Sequence, residues 1–174
     1  NSTEARLLLG PDYVLLPSDK SGGGWTGLNS TLCKNVLVSL GAGANTEALD
    51  LILKSLDGYR HHKLDIIVLA AGGSINELSS RSYSDFHGIQ IIDGFVNDLI
   101  ARFTVADIAI VGGGVTTWEA LAVGVPTAIL CVAENQLQNS ISLDRLEAVS
   151  LLGVSGKVST EEVCVALSSL ISDP

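Results

Sequence analysis

The chain has 174 residues and a formal net charge of −9, with 47% hydrophobic residues and only 17% charged ones. That length suits one well-cored domain rather than two, and the composition excludes disorder as the general state. Ten basic residues against nineteen acidic ones exclude the cationic footprint that nucleic acid or an anionic membrane surface requires, and three widely spaced cysteines (Cys33, Cys131, Cys164) make neither a disulfide framework nor a metal cluster.

Residues 1–34 are expected to form an entry segment and a loop. An apolar patch, Leu7–Leu9 and Tyr13–Leu16, surrounds the Gly10-Pro11 turn, and the first ten residues lack the basic region and cleavage signature of a signal peptide. Residues 17–31, headed by Pro17 and rich in Gly and Ser, predict a flexible linker. Trp25 within it is expected to dock on another domain. The chain contains no Met, and the expectation is a piece of a longer protein.

From residue 35 to residue 174 a single Rossmann-like domain is predicted. Short apolar runs without polar alternation, at Val36–Leu40, Ile66–Ala70, Ile89–Ile92, Ile108–Val111 and Thr127–Val132, read as strands buried on both faces. Helical spacing of apolar residues predicts helices over Thr46–Leu56, Asn97–Val105, Thr117–Val123, Leu137–Leu151 and Glu161–Ile171. Strands alternating with helices predict an α/β fold, a doubly wound open parallel sheet flanked by helices. The longest apolar stretch, Ala120 to Ala133, is broken by Gly124 and Pro126 and falls short of the ~20 residues of a spanning helix, so no membrane span is expected. With reduced cysteines and no span, the cytoplasm is the expected compartment.

In such sheets ligands bind beyond the carboxyl ends of the strands. Two predicted strand ends are glycine-rich: Gly41-Ala42-Gly43-Ala44-Asn45, and Gly112-Gly113-Gly114-Val115-Thr116-Thr117. Neither fits the P-loop or the dinucleotide-binding pattern. Residues 103–144 contain no Lys, Arg or His, so a diphosphate held there depends on backbone N–H groups, hydroxyls and the helix dipole. Thr116-x-x-Glu119 reads in two ways. It is either a capping box with Thr116 as the N-cap, or part of a ligand site in which Glu119, one turn into the helix, reaches ligand hydroxyls. Glu134-Asn135-Gln136, just after the next predicted strand, adds polar groups at the same edge.

Other residues have plainer readings. His61, His62 and His87 read as solvated loop residues, and the absence of HxxxH, CxxC and DxD patterns leaves no metal site. Trp118 and Cys131 read as packing residues, and Asp107 as a strand start without an obvious partner. Glu161 and Glu162 supply the negative charge favoured in the first turn of the last helix.

The string from Gly112 to Gln136 resembles the nucleotide-binding half of GT-B enzymes, most closely the PseG/SpsG family of nucleotide-sugar enzymes and more loosely MurG. Leu8–Leu16 resembles the segment entering that family's C-terminal domain, Asn35–Gly41 its first strand, and Asp93-Gly94-Phe95-Val96 the turn beside the base. The resemblance covers most of residues 7–150. It implies a UDP-sugar ligand, with Gly113, Gly114, Val115, Thr116 and Thr117 around the pyrophosphate and Glu119 on the ribose hydroxyls. Phe95 and Val96 would face uracil, Asn135 and Gln136 the phosphate or sugar, and the loop bearing Gly41, Gly43 and Asn45 would close over the donor. At that loop the family carries a second glycine where this chain has Ala42. The resemblance further implies no cofactor and no metal, with the catalytic base in an N-terminal domain of the same protein or in a partner subunit. This chain alone is then expected to be inactive. Hydrolysis releasing UDP and glycosyl transfer are both compatible with the resemblance, as is a non-catalytic binding subunit.

Overall fold

The computed structural model describes residues 13–16, 24–27, 33–41, 46–59, 64–70, 88–94 and 96–172. Strands β1 (Asn35–Ser39), β2 (Asp65–Ala70), β3 (Gly88–Asp93), β4 (Ile108–Val111), β5 (Thr127–Cys131) and β6 (Ser150–Val154) form one sheet in the order β3-β2-β1-β4-β5-β6. Every neighbouring pair is parallel. Helices α1 (Thr46–Asp57), α2 (Leu99–Val105), α3 (Val115–Val123), α4 (Leu137–Arg145) and α5 (Thr160–Ser172) cover it. This is the doubly wound Rossmann-like arrangement predicted from the alternation of short apolar runs and helical patterns.

Side chains alternate across the pleat, so each central strand feeds two cores. Val36, Val38, Ile108, Ile110, Ala128 and Leu130 face one side, where Leu49, Ile52 and Leu53 of α1 and Val163, Leu167 and Ile171 of α5 close over them. Leu37, Ala109, Val111, Ile129 and Cys131 face the other, under Phe103 of α2, Ala120 of α3 and Leu143 of α4. Burial on both faces explains why these strands read as unbroken apolar runs.

Two readings need correction. The helix predicted to run to Leu151 ends at Arg145, and Ser150–Val154 forms the sixth strand. The chain breaks where Glu147 takes a left-handed conformation (φ 55°) and the Asp144 carboxylate accepts the N–H of Leu151 at 2.9 Å. Leu146, which completed the apolar pattern, is 72% exposed.

Trp25 does not wait for another domain. Its backbone N–H donates to the carbonyl of Val123 at 3.0 Å, and its indole N–H to that of Ala106 at 2.7 Å. The neighbouring Thr26 N–H donates to the Thr104 carbonyl at 3.0 Å. The strap 24–27 thereby ties the carboxyl ends of α2 and α3 together at the amino edge of the sheet. Asp107 also gains partners there. One of its carboxylate oxygens accepts the N–H groups of Lys34 and Asn35, both at 2.8 Å, fixing the start of β1 against β4. Burial, with Asp107 adding a smaller contribution, pushes the neighbouring Cys33 thiol up to about 12.

Candidate functional site

The chain leaves β1 toward β2 but leaves β4 toward β5, so α1 and α3 lie on opposite faces of the sheet. The carboxyl ends of β1 and β4 therefore mark the sheet's switch point, where doubly wound folds bind their ligands, and these are the two glycine-rich strand ends. Gly41 is exposed there at φ +85°; Gly43 and Asn45 lie outside the described residues.

The triple glycine divides into two packing positions and one open one. A Cβ on Gly112 would stand 2.5 Å from the Leu40 carbonyl oxygen, and one on Gly113 would stand 2.6 Å from Ser140 Oγ and 2.8 Å from Gln136 Cβ. The ends of β1 and β4 and the start of α4 approach too closely for any side chain at either place. On Gly114 the nearest atom, Gln136 Nε2, would be at 3.8 Å, an ordinary contact that leaves this side of the bend open.

Helix α3 begins two residues earlier than predicted, with Gly114 as its N-cap and no side-chain cap bond. Thr116 is therefore inside the first turn, and the capping-box reading of Thr116 and Glu119 is overturned. The amides of Val115 and Thr116 sit at the helix mouth without intrahelical acceptors, whereas the N–H of Thr117 turns back to the Gly114 carbonyl at 3.2 Å. The Thr117 hydroxyl is buried and donates to the Gly112 carbonyl at 2.7 Å, which holds the bend in shape. Helical spacing puts Glu119 on one stripe with Val115 and Thr116. Val115 is 69% exposed, Glu119 is half-buried, and its carboxylate has no hydrogen bond or ion pair among the described residues.

The next strand end brings Glu134–Gln136 to this edge as a single 3₁₀ turn. Gln136 Oε1 accepts two backbone N–H groups, from Gly113 at 3.2 Å and from Val132 at 2.9 Å, and so pins the β4 and β5 loops together. Asn135 is exposed beside it.

Val96 is half-buried against the α2–α4 side of the core beyond β3, and Phe95 lies outside the described residues. Three strand spacings separate β3 from β4, about 14 Å. The glycine bend, Glu119 and Gln136 thus form one cluster, and Val96 stands apart from it.

One residue that the sequence did not point to joins this edge. Lys157, in the turn after β6, places Nζ 3.5 Å from Glu134 Oε1. Among the described residues no group of three His, Cys, Asp or Glu side chains could hold a metal ion, and no helix is long and apolar enough to cross a membrane. A groove of about 300 Å³, lined by Asn35, Leu37, Asp65, Ile67, Arg102 and Val105, lies at the opposite, amino edge.

The chain is 26% identical over 170 residues to the spore coat polysaccharide biosynthesis protein SpsG of Bacillus subtilis (strain 168), across 96% of this chain and 50% of that protein. It is similar to SpsG along nearly its whole length. It spans about half the length of that curated relative, and no family model matches it. Among solved structures, the glycotransferase of kitacinnamycin superposes at a TM-score of 0.63 with 20% identity, covering 91% of this chain and 40% of that one. Os79 from O. sativa, crystallised in complex with UDP, superposes at 0.61 with 18% identity, covering 79% and 31%. The fold is therefore that of GT-B glycosyltransferase domains, an open six-stranded parallel sheet flanked by helices.

Proposed function

We propose that this chain is the UDP-sugar-binding half of a two-domain nucleotide-sugar enzyme of the PseG/SpsG type, acting in polysaccharide or nonulosonic-acid biosynthesis. The carrying observation is the mouth of α3, where the open amides of Val115 and Thr116, an open Gly114 and a Glu119 without a partner among the described residues lie together at the sheet's switch point. The similarity to SpsG supports the biosynthetic assignment, and the fold shared with Os79, whose structure contains UDP, supports the nucleotide. An anion at the mouth meets partial positive charge and free donors. The same dipoles stabilise the charge that develops on departing UDP, as oxyanion donors do at a reacting carbonyl. The open amides of Val115 and Thr116, with Gly114 clear beside them, hold the diphosphate on a bend that Gly113 and Thr117 shape; Glu119 accepts from the ribose hydroxyls, and Asn135 and Gln136 meet phosphate or sugar. The loop of Gly41, Gly43 and Asn45 covers the donor, and the turn at Phe95-Val96 faces the base, which an extended nucleotide can reach.

In the PseG-like reading water attacks the anomeric carbon and UDP leaves, with the base supplied by the other domain or a partner subunit. The second reading, transfer to an acceptor hydroxyl, is favoured by the glycosyltransferases among the structural neighbours. Calorimetry should show UDP binding in the micromolar-to-millimolar range, roughly 4–8 kcal/mol. Glu119→Ala should weaken UDP about tenfold while leaving pyrophosphate unchanged, as loss of a hydrogen bond to a charged group predicts. Equal losses for both ligands remove the ribose role. The chain alone should not turn over UDP-sugars; turnover would place a base within it.

A further inference from the structure

We infer that the strap 24–27 is a clasp for α3: by fixing the far end of that helix it sets the position of the open mouth, with Trp25 as the positioning residue. Its coupling to a ligand rests on the nucleotide reading above; the clasp itself does not. Helix α3 has a slight grip on the core, for it buries only Thr117, Ala120 and Val123. The last carbonyls of a helix lack intrahelical donors, and that of Val123 receives Trp25 N–H at 3.0 Å. The strap's other donors go to the end of α2. Thr104 O accepts the Thr26 N–H at 3.0 Å and its hydroxyl at 3.1 Å, and Ala106 O accepts the indole N–H at 2.7 Å. Ala106 leads through Asp107 into β4, the strand that feeds the mouth. The clasp therefore holds α3 against both α2 and the base of β4.

Gly27 is part of the device. A Cβ there would collide with the indole Nε1 and stand 2.6 Å from the Ala106 carbonyl oxygen, in the space that their hydrogen bond occupies. Trp25 is half-buried against the same core that α3 covers. Clasp and mouth are the two ends of one nine-residue helix, about 14 Å long. A tilt at the clasp is carried along it to Val115, Thr116 and Thr117. Linkage makes the effect reciprocal: if a seated strap favours an anion at the mouth, an anion at the mouth favours the seated strap.

Amide hydrogen exchange on the intact chain tests both directions. Gly27→Ala drives the indole off Ala106 and should speed exchange of the Thr117 N–H, at the mouth, about threefold or more. Trp25→Phe keeps a ring on the core but loses the indole donor, and should speed it less. Unchanged Thr117 exchange in both folded variants overturns the clasp. In the unmutated chain, saturating UDP should slow the Trp25 and Thr26 amides about threefold or more. The amides of Lys34 and Asn35, at the same edge but held by Asp107, should not slow. Equal slowing of all four is global stabilisation, and an unaffected strap is independence; either overturns the coupling, even where Gly27→Ala does not fold. UDP should bind about fivefold more weakly to folded Gly27→Ala, and unchanged affinity overturns the coupling as well. If the unmutated chain does not bind UDP, the nucleotide reading fails and the coupling with it, while Thr117 exchange still decides the clasp.

Discussion

Two helices start at the carboxyl edge of this sheet in opposite ways. At α5, Ser159 N–H donates to the Glu162 carboxylate at 2.7 Å, and Glu162 N–H donates back to Ser159 Oγ at 3.2 Å, a reciprocal capping box. At α3, Gly114 caps without a side chain, the amides of Val115 and Thr116 stay open, and that of Thr117 turns back to the Gly114 carbonyl. The first turn of α5 carries two carboxylates of its own, Glu161 and Glu162, whereas the first turn of α3 carries no acidic residue. A helix start that forgoes an available cap is the better place to look for an anion, because the uncapped state loses stability that a ligand can restore.

The largest test is to make α3 resemble α5. Gly114 has φ −99° and ψ −152°, a conformation open to any residue, and a Cβ there meets no close atom. Gly114→Asp should therefore cap α3 and change stability by only a few tenths of a kcal/mol. Its carboxylate would occupy the proposed anion position, and a like charge at about 4 Å costs roughly 2–3 kcal/mol at an interface-like dielectric, so UDP should weaken about a hundredfold. Retained affinity in a folded Gly114→Asp chain would erase the distinction between the two helices.

A second test asks whether the difference is local. Asp107 sits at the far edge of the sheet, 5% exposed, holding the amides of Lys34 and Asn35. Asp107→Ala should lower unfolding free energy by about 1–2 kcal/mol, since it removes two part-buried hydrogen bonds to a charged group. In urea titrations that loss should appear without any change in UDP affinity among folded molecules. A coupled loss of affinity would mean that the open mouth depends on the whole sheet.

The sequence made the sheet legible because its central strands are buried twice, and unbroken β-branched runs such as Ile108–Val111 have few other readings. It hid β6 because Ser150–Val154 carries Gly153 and follows apolar residues at helical spacing, while the signal that ends α4 is a conformational break at Glu147. The glycine triplet was legible as a special bend, but its division of labour was not. Gly112 and Gly113 answer to Leu40, Ser140 and Gln136, contacts between elements distant in sequence. The supposed cap at Thr116 failed for a related reason: Thr116-x-x-Glu119 satisfies the local pattern, yet the helix starts at the open glycine before it. Ser159-x-x-Glu162 has the same spacing and does form the box, so spacing alone could not choose between them. Lys157 could not be placed at the carboxyl edge without the strand that carries it there.

The smallest effect concerns the capped helix. The N–H of Ser159, aided by its hydroxyl, holds the exposed Glu162 carboxyl below its ordinary pKa. A folded pKa below the unfolded one means that the ionised box contributes stability at neutral pH, and that the contribution is lost as pH falls through the folded value. Glu162→Gln should therefore lower Tm slightly at pH 7, and the gap from the unmutated chain should close on acidification below the unfolded carboxyl range. UDP affinity should not change, because this helix start carries two carboxylates of its own, which disfavour an anion. A gap that persists at low pH would show that the box acts through hydrogen-bond geometry alone and owes nothing to the charge of Glu162. The two helices would then differ in side-chain capping, with the dipole contributing little at either.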